Sequence, residues 1–119
     1  MKINIFWEEE TEGEKGNPLR LKPQFVRETA KKILADLKIK GKELNIIFCS
    51  SAYMRKLAKQ YRGKDYAPAT LSFPLAEKGL LGEIYLNYEC LSNFPITYLL
   101  RHSLGRMGLK AKKRGDSQK

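Results

Sequence analysis

The chain has 119 residues and a formal net charge of +10, with 42% apolar and 30% charged residues. That length suits one domain with one core, and the balance excludes a disordered chain. No run approaches the roughly 18 apolar residues of a membrane span, and the opening MKINIFWEEE turns acidic too early for a secretory signal, so a cytoplasmic protein without a membrane partner is expected.

In Lys2 to Trp7, Ile3, Ile5 and Trp7 alternate with other residues, which predicts a first strand. Glu8 to Asn17 reads as an acidic, glycine-containing turn. After Pro23, the residues Phe25, Val26, Ala30, Ile33, Leu34 and Leu37 recur at helical spacing, with Gly41 closing the segment. Glu43 to Cys49 is a mostly apolar second strand. Ser50 or Ser51 caps a second helix with Met54, Leu57, Ala58 and Tyr61 on one face, ending near Gly63. Thr70 to Phe73 and Glu83 to Asn87 supply two more strands, with Leu80-Leu81-Gly82 leading into the last. A final helix spans roughly Pro95 to Met107, because proline suits a first turn. At 100° per residue, Ile96, Leu99, Leu100, Leu104 and Met107 share one stripe, and Tyr98, Arg101, His102, Gly105 and Arg106 lie opposite.

Charge concentrates at the end of the chain. Residues 99–119 carry seven Lys/Arg (Arg101, Arg106, Lys110, Lys112, Lys113, Arg114 and Lys119) against one Asp. Such a stripe attracts phosphate backbones through counterion release; a solvated tail that keeps the protein soluble is the alternative. We divide the chain into a domain, 1–109, and a basic tail, 110–119. Cys49 and Cys90 are too far apart for a C-x-x-C pair and read as buried thiols.

Three segments in order, Tyr61-Arg62-Gly63-Lys64-Asp65, Leu71-Ser72-Phe73-Pro74 and Leu81-Gly82-Glu83-Ile84, resemble the YbeY family of ribosomal-RNA maturation endoribonucleases. That family runs YR-x-x-D, PTDVLSFP and LGDI, and ends in HGxLHLxGYDH, whose three histidines hold zinc. The resemblance implies an α/β fold in a single domain, with a small mixed four-stranded sheet flanked by helices. It also implies a partner in ribosomal RNA or the small ribosomal subunit, with a ribosomal protein or assembly factor as a further possibility.

The ending of this chain departs from the family's. Anchored on Gly108, the three histidine positions carry Arg101, Gly105 and Ala111; shifted by one, His102 takes the first but Arg106 and Lys112 take the others. A catalytic zinc typically needs three protein ligands, and a guanidinium has no lone pair to give. His102 is the chain's single histidine, so it is a weak metal candidate at best. The family's Thr-Asp before VLSFP is replaced by Pro68 and Ala69.

Two functions follow from this. One is a factor that binds single-stranded ribosomal RNA with the zinc-dependent cleavage lost and no cofactor. The other is an active metal-dependent endoribonuclease with a rebuilt site, built from His102 plus carboxylates or with metal held between subunits, that still uses zinc. A ribosome-assembly adaptor working through protein contacts is a third reading. The resemblance makes Arg62 a functional arginine, and its planar fork suits a phosphate; the plain alternative is an ion pair with Asp65. Arg62, Arg101, Arg106, Lys110, Lys112, Lys113 and Arg114 form the candidate RNA-binding set. Tyr66 can stack on an unpaired base or pack at the rim. Ser72 lacks the setting of a nucleophile, and Asp65, Glu83 and Glu89 are too scattered in sequence to define a carboxylate pair.

Overall fold

A computed structural model describes residues 1–8, 21–77 and 80–117, with the side chains of 75–77 and 108–117 outside the description. Strands β1 (Lys2–Trp7), β2 (Glu43–Cys49), β3 (Thr70–Glu77) and β4 (Leu80–Asn87) alternate with helices α1 (Pro23–Asp36), α2 (Ser51–Arg62) and α3 (Ile96–Ser117), and a 3-10 turn covers Tyr88–Ser92. The sheet order is β1-β2-β4-β3. β1, β2 and β4 run parallel and β3 antiparallel, so this is the mixed four-stranded sheet the sequence implies.

The two-residue period of the strands divides the core. Leu44, Ile46 and Phe48 of β2 and Ile84 and Leu86 of β4 pack with α1 and α3. Ile47, Cys49 and Leu71 face the other way, under Met54 and Leu57 of α2. The α3 stripe is as predicted: Ile96, Leu99, Leu100, Leu104 and Met107 are all buried, each contributing about 2 kcal/mol of gross hydrophobic stabilisation. Two buried serines join this helix to the sheet. Ser72 Oγ donates to the Ser103 carbonyl at 3.0 Å, and Ser103 Oγ donates to the Leu99 carbonyl at 2.8 Å.

Local chemistry explains the element ends. Ser50 caps α2 by accepting from the Tyr53 amide at 3.2 Å, and Gly63 ends the helix at φ 66°. α1 starts at Pro23 and stops at Asp36, with its C-cap at Leu37 and the left-handed position at Lys38 (φ 56°) rather than at the expected Gly41. The Leu37, Lys38 and Ile39 amides reach back to the Ile33, Ala35 and Leu34 carbonyls, closing the helix as soon as its buried stripe ends. Phe25, Leu37 and Tyr61, expected on core faces, are exposed instead: Phe25 sits in the first turn of α1, Leu37 at its C-cap and Tyr61 in the last turn of α2, beyond the buried middle of each helix. β3 extends past Phe73 through Pro74, which an edge strand accommodates.

α3 runs beyond the expected Met107 to Ser117. The side chains of Lys110, Lys112, Lys113 and Arg114 lie outside the described residues, as do Lys119 and most of the acidic turn over Glu8 to Asn17. Among the described residues no helix is long and apolar enough to cross a membrane.

Candidate functional site

Thr70 pairs with Leu86 near the carboxyl end of β4, so the segment entering β3 lies at the carboxyl edge of the parallel strands. Open α/β sheets commonly bind ligands at that edge. A cleft of about 350 Å³ opens there. Arg62 and Tyr66 form one wall, from the end of α2 and the loop after it, and residues 68–70 form the floor. The other wall is α3 with the segment before it: Phe94, Tyr98, Leu99, His102 and Arg106.

The loop wall is tied down at several points. Asn87 Nδ2 donates to Ser51 Oγ at 2.9 Å and to the Pro68 carbonyl at 3.4 Å, and the Asn87 amide donates to the Ala69 carbonyl at 2.9 Å. Glu89 Oε2 accepts from the Ser51 amide at 2.6 Å, adding a carboxylate to the amide end of α2. Arg62 Nη1 donates to the Tyr66 hydroxyl at 2.5 Å. The alternative for Arg62, an ion pair with Asp65, does not form, because Asp65 meets Arg55 at 3.5 Å.

The helical wall carries one row of planar groups. Phe94, Tyr98, His102 and Arg106 recur every four residues. The Phe94 and Tyr98 rings stack at 5.5 Å and 18°, and the Tyr98 and His102 rings lie 6.4 Å apart at 10°. Phe94 is 44% and Tyr98 56% exposed, so core packing does not account for them. Pairing among themselves stabilises an exposed helix by only about 0.2–0.5 kcal/mol per pair.

The structure brings together Arg62, Tyr66, His102 and Arg106, and leaves Arg101 elsewhere. Arg101 Nη2 lies 3.2 Å from Asp36 Oδ2 at the end of α1. Among the described residues no carboxylate lines the cleft. Among the described residues neither Arg62 nor Arg106 forms an ion pair. The carboxylates considered for a rebuilt site are dispersed: Asp65 faces Arg55, Glu89 caps α2, and Glu83 accepts from Tyr85 on the sheet. Ser72, buried and bonded to α3, has a structural role. Cys49 is buried as expected, its thiol pushed up by burial and then by the Glu8 charge, whereas Cys90 is only half-buried.

These donors do not fit the zinc that the family's histidines hold. In the frame anchored on Gly108, Arg101 faces Asp36 while Gly105 and Ala111 have no ligating side chain; in the frame shifted by one, His102 stands with Arg106 and Lys112, whose charged groups have no lone pair to give. Among the described residues no three of His, Cys, Asp and Glu come together. The row on the helical wall escaped the sequence reading, although its four-residue spacing was present there; only the cleft singles it out.

An open α/β sheet with a cleft at its carboxyl edge is a common ligand-binding architecture. The model of the family described as "Endoribonuclease YbeY" matches residues 9–106, and the chain belongs to that family. The endoribonuclease YbeY of Malacoplasma penetrans is 42% identical over 73 residues, covering 55% of this chain and 47% of that protein. That of Thermotoga maritima is 32% identical over 75 residues, covering 63% of this chain and 47% of that protein. The alignments thus span about half the length of these relatives. Among solved structures, the solution structure of TM1509 from Thermotoga maritima matches with a TM-score of 0.51 and 27% identity, covering 86% of this chain and 69% of that one.

Proposed function

We propose that this chain is a YbeY-like factor of ribosomal-RNA maturation that holds single-stranded RNA in the α2–α3 cleft and does not cut it by zinc-dependent hydrolysis. The observation that carries the reading is the cleft itself. The cleft gathers Arg62 of the retained Tyr-Arg motif with Arg106 and a lone His102 from the altered ending, and among the described residues no carboxylate lines it. Two guanidiniums in a concave, carboxylate-free wall attract a phosphate backbone and supply bidentate donors to it. Neither accepts a metal, and His102 alone provides one of the three ligands that a catalytic zinc typically needs.

The test pairs binding with cleavage. Unstructured RNA is titrated at several salt concentrations and, in parallel, incubated with zinc or with a chelator. Each phosphate contact to a single strand contributes about 0.7 to the slope of log K against log salt. Arg62→Gln and Arg106→Gln should therefore each flatten that slope by about 0.7, with the RNA left intact throughout. Chelator-sensitive cleavage that disappears in His102→Ala would replace this reading with the rebuilt-site endoribonuclease.

A further inference from the structure

We infer that the row Phe94, Tyr98, His102 is a stacking platform for an unpaired base, with the adjoining phosphate held by Arg106 and Arg62. This deepens the RNA-binding reading and rests on it, because it names which part of the strand each wall takes. Nothing in the family's zinc motif calls for such a row, since an aromatic pair beside an imidazole adds no ligand to a metal.

Three observations carry the inference. First, the planes are nearly parallel, tilted by 18° and 10° between neighbours, and each pair is stacked, so a base in the same orientation would extend an existing stack. Second, Phe94 and Tyr98 are substantially exposed and line the cleft, with ring surface in water that a base would cover. Third, Arg106 follows His102 by one more four-residue step, and Arg62 stands on the facing wall. A nucleotide presents the complement, a flat π face joined to an anion within one sugar. Exposed aromatics backed by guanidiniums are the usual means of gripping single strands, and they tolerate sequence because every base has a face to stack. A duplex would not fit this use, since its bases are already stacked on one another. Thus the row selects for unpaired nucleotides, while the arginines select only for charge.

The experiment compares two strands of equal length and charge, a labelled hexa-adenylate and a fully abasic sugar-phosphate hexamer, by fluorescence anisotropy at fixed salt. Wild type should bind the adenylate more tightly by about 5- to 100-fold, the range expected for stacking on an aromatic side chain. That preference should collapse in Tyr98→Leu and survive in Tyr98→Phe. Arg106→Gln should weaken both strands alike. The Tyr98 and His102 ring protons should shift with the adenylate and not with the abasic strand. Equal binding of the two strands by wild type, or an undiminished preference in Tyr98→Leu, overturns the platform while leaving RNA binding by charge in place. Failure to bind either strand at any salt concentration overturns the RNA reading itself, and the platform with it.

Discussion

Gly82→Ala should be among the most damaging single-methyl additions available to this fold. Gly82 has φ +146°, a conformation that L side chains rarely adopt. A Cβ placed there would sit about 2.4 Å from the Phe73 carbonyl oxygen, 2.9 Å from the Pro74 Cα and 2.9 Å from the Met107 Cε. The methionine end can swing away, but the other two atoms are backbone of the paired strand β3 and yield only if the β3–β4 pairing opens. Backbone strain of about 1–3 kcal/mol and overpacking of about 1–3 kcal/mol together give a loss of roughly 2–6 kcal/mol, against a total of about 5–15 kcal/mol for a domain of this kind. Urea unfolding followed by far-ultraviolet dichroism measures it. With a slope of about 2 kcal/mol per molar, the midpoint should fall by at least 1 M. Adding Met107→Ala should restore little, because it relieves the one yielding contact and opens a cavity beneath α3. A loss below about 1 kcal/mol in Gly82→Ala would refute the reasoning, as it would mean that β3 and β4 part without cost.

Gly105 is the opposite case. Among the described residues a Cβ there meets nothing within 4 Å, so Gly105→Ala should raise stability by about 0.5–1 kcal/mol in the same urea assay. Ser72→Ala removes the donor to the buried Ser103 carbonyl and should cost about 1 kcal/mol, while leaving RNA affinity unchanged in the anisotropy titration. Burial, and then the Glu83 carboxylate beside it, pushes the Tyr85 phenol above its ordinary value near 10. The folded chain therefore holds that proton more tightly than the unfolded chain does. Its contribution is complete below about pH 10 and is lost as pH rises beyond, so the urea midpoint should fall in that range less steeply for Tyr85→Phe than for wild type.

Much of this architecture is legible in sequence because it rests on short-range patterns. β1 and β2 have the bounds that their apolar patterns predict. Ser50 and Gly63 bracket α2 through contacts within a few residues, and the α3 stripe follows from the 3.6-residue period. The departures come from partners remote in the chain. Asp65 is three residues from Arg62 yet pairs with Arg55, and Arg101 finds Asp36 across 65 positions. Phe25 and Tyr61 lie in the first turn of α1 and the last turn of α2, where the position of the helix end, set by the rest of the fold, decides burial. The candidate site was legible only in part. Arg62, Tyr66, His102 and Arg106 could each be singled out, but that they share a cleft without Arg101 depends on how α3 is rotated against β3.

That rotation is set by the buried side of α3, through its five apolar residues and the Ser72–Ser103 bond, rather than by its exposed side chains. The outward positions on this helix are therefore interchangeable tools on a fixed handle. Imidazoles can give way to a guanidinium and a glycine there without any debt to the core, and the open space around Gly105 admits a larger side chain again. A handful of surface substitutions can thus change what this helix presents to its cleft while the sheet and core beneath keep one silhouette.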